Sequence, residues 1–196
     1  MNLAVAEVSG QFVGFGVGSG WTQFKIKVDG TTNKYNLSGL NYGFVGGYKK
    51  FFNDYIGLRY YVNIDLHHNV KKVSGATKTF KAVIANYGVN VDFLANFIAG
   101  NDSNFGVFIG AGIGANTLTG EDIWTLQDEA EIKTTGFDIS ANAGLRYNVT
   151  TTIDTNHGIE IAVRVPFLPV TMWNEYGEKL TYGQIFSVLA RYTYSF

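Results

Sequence analysis

From residue 56 the chain alternates with a period of two: Ile56, Leu58, Tyr60, Val62, Ile64 and Leu66 are apolar, and Gly57, Arg59, Tyr61, Asn63 and Asp65 fall between them. Side chains spaced by two point to opposite faces of a strand, so the run predicts one apolar and one polar face. It is about eleven residues long, enough for a tilted strand to cross a bilayer and about twice the length of an ordinary strand.

The signature recurs along the chain. Val13, Phe15 and Val17 face Gly14, Gly16 and Gly18, and Leu40, Tyr42 and Phe44 face Gly39, Asn41 and Gly43. Val83, Ala85, Tyr87, Val89, Val91 and Phe93 alternate with Asn86, Gly88, Asn90 and Asp92. Phe105, Val107, Ile109, Ala111 and Ile113 alternate with glycines, and Phe137, Ile139, Ala141, Ala143, Leu145 and Tyr147 with Asp138, Ser140, Asn142, Gly144 and Arg146. Ile159 to Val165 oppose Glu160 and Arg164, and Phe186 to Phe196 oppose Ser187, Leu189, Arg191, Thr193 and Ser195. The reading is all-β: an eight-stranded, antiparallel, up-and-down transmembrane β-barrel, closed on itself.

Which face meets lipid follows from composition. A soluble barrel carries abundant Lys and Glu outside, whereas the polar face here is mainly Gly, Asn, Ser and Asp with a few Arg, which suits a crowded lumen. Trp21, Tyr55, Phe93, Phe105, Tyr147, Phe167, Tyr194 and Phe196 fall near strand ends and are expected to form two interfacial girdles.

At 196 residues one domain is expected, residues 7–196, with residues 1–6 read as a leader remnant because Ala4, Val5 and Ala6 resemble a cleavage site. Lys+Arg 15 against Asp+Glu 16 leaves no basic field for nucleic acid. No cysteine is present, so no disulfide or thiolate site is expected. Short connections are expected at residues 49–54 and 150–156, and long ones at 29–36, 70–79, 119–134 and 166–181. A short helical turn is expected within residues 94–104, where Leu94, Phe97 and Ile98 have helical spacing. Pro166 and Pro169 sit just past the seventh strand, where a missing donor costs no interior ladder bond.

The inward residues include Arg59, Asp65, Asp92, Asp138, Arg146, Glu160, Arg164 and Arg191. An eight-stranded interior is just wide enough to be filled by side chains, so these charges are expected to pair and plug the lumen. A narrow ion path is the alternative. His67 and His68 lie at one rim and His157 at the other, a poor metal set. A lipid-modifying enzyme would need a nucleophile and base near the outer leaflet, and His67 or His68 with Ser74 is the nearest combination. No enzyme, metal or cofactor is expected.

Two long loops carry opposite charge: Lys71, Lys72, Lys78 and Lys81 against Glu121, Asp122, Asp128, Glu129 and Glu131. They could attract one another over the mouth, or the basic one could touch lipopolysaccharide phosphates. Trp124 and Trp173, in the third and fourth loops, are expected to pack that cap or to offer a small recognition surface.

The last strand places Val188, Ala190, Tyr192, Tyr194 and Phe196 in one apolar file, the form of a C-terminal insertion signal. Together with residues 43–52 (GFVGGYKKFF), 57–69 (GLRYYVNIDLHHN), 87–97 (YGVNVDFLANF), 105–116 (FGVFIGAGIGAN) and 157–166 (HGIEIAVRVP), it resembles the Helicobacter outer-membrane protein family over nearly the whole chain. Large members of that family carry an extracellular domain used in adhesion or are described as porins. This chain is essentially the barrel, so adhesion is not carried over. The resemblance implies a bacterial outer-membrane location. Expected partners are outer-membrane lipid, lipopolysaccharide and the barrel-assembly machinery, with a monomer and a structural or surface-interaction role.

Overall fold

The computed structural model describes residue 7 and residues 9–72, 79–100, 102–120, 123–124, 132–152, 155–175 and 177–196. The alternating runs become strands: β1 (Gly10–Val28), β2 (Thr31–Phe51), β3 (Ile56–Lys72), β4 (Thr79–Ala99), β5 (Ser103–Thr119), β6 (Thr135–Thr152), β7 (Thr155–Pro166), a short β8 (Val170–Glu175) and β9 (Glu178–Ser195). Each pairs antiparallel with its neighbour, and β1 pairs with β9 to close the ring. Eight strands make the wall. β8 extends it where β7 stops, pairing with the upper end of β9 from Val170 opposite Tyr182 to Glu175 opposite Glu178. Closure leaves no edge within the membrane, which a sheet in lipid requires.

Val13, Phe15, Val17, Phe44, Tyr60, Val62, Ile64, Val89, Val91, Ile109 and Ile161 are exposed on the outer wall, while Arg59, Asn63, Asp65, Asn90, Asp92 and Arg146 are buried inside. The lipid-facing side is therefore apolar and the lumen polar. The aromatic residues expected at the strand ends lie outward: Tyr55, Phe93, Phe105, Tyr147, Phe167 and Phe196 are exposed, and half-buried Trp21 stacks on Phe186 at 4.3 Å between centroids.

Three connections differ from the sequence reading. Residues 29–36 are not a loop: β1 and β2 run on together to a two-residue turn in which Asp29 and Gly30 both have positive φ, 47° and 78°. That geometry matches the strand twist and suits an Asp-Gly pair. Among the described residues of 94–104 the expected helical turn does not form. β4 continues to Ala99 and turns back at once, with Ala99 opposite Asn104. A bulge between Asn96 and Ile98 leaves Phe97 and Ile98 both exposed while Leu94 is buried, and this extra residue mimicked helical spacing. Residues 166–181 include β8, and Pro166 is the last residue of β7, opposite Ser140. The leader remnant at 1–6, Ser74, Lys78, Glu121, Asp122, Asp128, Glu129 and Glu131 lie outside the described residues, as do the side chains of Lys71 and Lys72.

Candidate functional site

The lumen concentrates the polar chemistry of the chain. All four arginines lie inside it, each buried. A guanidinium suits this setting because its planar fork can hold two carboxylates at once. At the end of the barrel with short turns, Lys49 on β2 donates to Glu7 at 2.6 Å, and Arg146 on β6 donates to the same oxygen. One step further in, Arg59 on β3 holds Asp92 on β4 at 2.9 Å through Nε and Glu160 on β7 at 2.5 Å through Nη1. Arg191 on β9 reaches the other oxygen of Glu160 at 3.2 Å. Glu160 thus ties strands β3, β7 and β9 across the bore.

Aromatic rings pack around Arg59. Phe108, Tyr61 and Phe12 have their centroids 4.3, 5.1 and 5.7 Å from its guanidinium carbon. Stacking lowers the cost of holding this cation away from water.

Above this tier the inner face is mostly carboxamide. Asn90 donates to Asn63 at 2.8 Å, Asn142 to Asn90 at 3.0 Å, and Asn63 to Asp65 at 2.7 Å. Asn86 extends the chain to Asn116. Arg164 approaches Asp138 at 3.9 Å, and Asp138 also accepts from the backbone N–H of Leu168 at 3.4 Å. Glycine makes room for these groups. A Cβ at Gly110 would strike Asp92 Oδ1, and one at Gly112 would strike Asn90 Oδ1. These side chains lie flat across the neighbouring strand. Between Tyr61, Asn63, Asp65, Asn142, Arg164 and Arg191 the remaining gap is about 10 Å³, room for no more than one water molecule.

The eight inward charges read from the sequence are all buried on the inner face. Spacing did not reveal Glu7 and Lys49. Lys49 continues the inner file of Val45 and Gly47, so its phase was readable once β2 is extended to Phe51. Glu7 precedes any alternation and has no such signal. With both included, the buried charges among the described residues balance: Glu7, Asp65, Asp92, Asp138 and Glu160 against Lys49, Arg59, Arg146, Arg164 and Arg191.

The histidines do not converge. His67 is buried inside and hydrogen-bonded to Thr22 Oγ1 at 3.2 Å, whereas His68 points outward and meets Tyr42 at 3.0 Å. His157 sits near the opposite end of the barrel, 2.6 Å from the Tyr192 hydroxyl. Among the described residues no group of three His, Cys, Asp or Glu could hold a metal ion.

At the long-loop end the lumen is capped by apolar side chains: Ala82, Ile84, Leu118, Ile123, Val170, Met172 and Tyr182, with Phe24, Ile132 and Leu180 against them. Tyr182 also donates to the carbonyls of Asn116 and Thr134, at 3.1 and 2.5 Å. In the third loop it is Ile123 that fills the cap. Trp124 is 58% exposed and donates to Thr119 Oγ1 at 3.1 Å. A tryptophan whose N–H is met at the rim has less reason to enter an apolar core than an isoleucine.

A closed ring of eight long strands, apolar outside and polar inside with aromatic side chains at its borders, defines an outer-membrane β-barrel. Its short turns then face the periplasm and its long connections the exterior. The chain belongs to the Helicobacter outer membrane protein family, whose model matches residues 43–196, and its location is the bacterial outer membrane. The fold resembles OprG from Pseudomonas aeruginosa, with a TM-score of 0.53 at 16% identity over 96% of each chain. Neisserial surface protein A superposes with a TM-score of 0.48 at 12% identity over 96% of this chain and 99% of that one. Ail of Yersinia pestis gives 0.41 at 14% identity over 96% of this chain and 100% of that one. At these identities the OprG likeness concerns the fold alone. No curated protein sequence matches the chain.

Proposed function

We propose that this protein is a non-conducting, non-catalytic barrel with a structural or surface-interaction role, its lumen closed by its own side chains. The observation that carries the reading is Glu160, held between Arg59 and Arg191 and joining three strands across the bore. Buried charges are tolerable only when paired and hydrogen-bonded, and opening a water path here would mean separating them. The apolar cap at Ile84, Leu118 and Tyr182 supports closure at the outer end, and Glu7 between Lys49 and Arg146 supports it at the inner end.

Recordings from full-length protein in planar bilayers test this. The expected result is no stable, sizeable conductance at neutral pH. A steady channel whose ion selectivity changes in a Glu160→Gln variant would instead make the charged tier an ion path. The lipid-modifying alternative has little support in the placement of His67 and His68, which face opposite sides of the wall. Unchanged lipid A acylation after deletion of the gene is the expected outcome.

A further inference from the structure

Beyond the membrane border, the outer ends of β2, β1, β9 and β8 form a four-stranded sheet, and its register determines which residues share a face. Lys25 lies opposite Lys34, and Lys27 lies opposite Thr32 on one side and Lys179 on the other. Directly opposed residues point to the same side of a sheet, and so do residues two apart. Lys25, Lys27, Lys34 and Lys179 therefore project from a single face. The inner face is fixed by Phe24, which lies opposite Tyr182 and packs on the cap, so the lysines point outward over the membrane.

The four strands present no acidic residue on that outward face. Glu175 and Glu178 oppose one another in the inner-face phase, one step out of register with Lys179. Placing like charges directly opposite destabilises a sheet, and here it happens twice, at Lys25 with Lys34 and at Lys27 with Lys179. Lysine can protect an exposed sheet edge from pairing with another chain. That explains Lys34 on β2, but β1 and β9 are interior strands of this sheet. A multivalent anion bound across the face offsets the repulsion of all four.

Two neighbouring features indicate which anion. Below the lysines, the stacked pair Trp21 and Phe186 marks the lipid border. Lys25 is four residues farther along, ~13 Å of strand, or ~10 Å in height at the usual tilt, so its flexible stem reaches the headgroup layer. Beside Lys25 is a notch of about 130 Å³, lined by Gln23, Phe167, Leu168, Pro169 and Ile185. Phe167, Leu168 and Ile185 are exposed there. Cations above a notch with an apolar lip fit an amphiphile with phosphates on its head and hydrocarbon below.

We propose that this face binds the phosphorylated, acylated glycolipid of the outer leaflet, with Lys25, Lys27, Lys34 and Lys179 taking its phosphates and the notch beside Phe167 taking part of an acyl chain. The site is separate from the lumen and does not depend on the bore being closed.

The test titrates full-length protein in neutral detergent with bis-phosphorylated lipid A, and with the same lipid A after its phosphates are removed, following binding by native mass spectrometry. Wild type is expected to retain the phosphorylated form. The variant K25Q/K27Q/K34Q/K179Q is expected to lose about a thousandfold in affinity. The dephosphorylated form should bind wild type as weakly as the phosphorylated form binds the variant. K50Q/K133Q, which removes two exposed lysines elsewhere, should bind as wild type does. Equal binding by wild type and the quadruple variant, or no preference for the phosphorylated form, overturns the site. Heat-modifiable gel mobility reports whether each variant is folded. If the quadruple variant is not, the salt dependence of wild-type binding decides, because lysine–phosphate contact weakens as salt is raised and salt-independent binding rejects it.

Discussion

The membrane half and the outer half of this barrel use the same strands with opposite polarity. On β4 the inner file reads Ala82 and Ile84 in the outer half and Asn86, Asn90 and Asp92 in the membrane half. On β5 it passes from Leu118 to Asn116. The outer files change in the reverse sense: on β1, exposed Val13, Phe15 and Val17 give way to Gln23, Lys25 and Lys27. Both changes occur near the level of Trp21 and Tyr42, so the chain behaves as a membrane protein below that level and as a water-soluble one above it. The contrast teaches that strand geometry sets only the alternation, while the solvent on each side sets its sign.

Five substitutions test this contrast. The largest effect is expected in the charged tier. Glu160→Ala leaves Arg59 and Arg191 buried without their shared carboxylate, and should cost about 3–5 kcal/mol in urea unfolding of the vesicle-inserted barrel. A cost below about 1 kcal/mol would mean the tier is well hydrated, and the lumen could no longer be described as dry and filled.

Next, Val62→Arg puts a charge on the lipid face and should cost about 3 kcal/mol, whereas Asn33→Arg, on the exposed outer hairpin opposite Ile26, should stay within about 0.5 kcal/mol. Similar costs at the two positions would erase the distinction between the halves. Leu118→Ala empties part of the apolar cap and should cost about 2–3 kcal/mol. Hydrogen exchange should show the loss confined to the outer ends of β4, β5, β8 and β9; faster exchange at Arg59 and Asp92 as well would show that the two halves unfold together. A smaller loss than in the cap is expected at the hairpin turn. Gly30→Ala forces an alanine into positive φ and should cost about 1 kcal/mol, read as a lower unfolding midpoint, with no change in detergent partitioning.

Much of the barrel was legible because lipid enforces a simple rule. Every membrane strand needs an apolar outer file, so Ile56 to Leu66 or Phe137 to Tyr147 could be read as spans without reference to their neighbours. The inner charges followed from the opposite phase of the same runs. The hairpin at Asp29 and Gly30 leaves little trace in the pattern, because residues 31–36 are exposed on both faces and show no alternation. Only the Asp-Gly turn signal marked it. The bulge at Asn96 disguised the end of β4, since one added residue puts Phe97 and Ile98 on the same side.

Local periodicity is enough to make this chain all-β, to show that its strands are long enough for a bilayer, and to sort the residues of each strand between its two faces, because a period of two is a property of the local backbone. Tertiary structure decided who meets whom. Arg59 and Glu160 are 101 residues apart and become partners only when the ring closes and brings β3 and β7 across a narrow bore. Glu7 belongs to no alternating run, and its place between Lys49 and Arg146 follows from the balance of charge inside a low-dielectric lumen. The outward lysines likewise share a face only through the register of β1 with β2 and β9, which no single strand encodes.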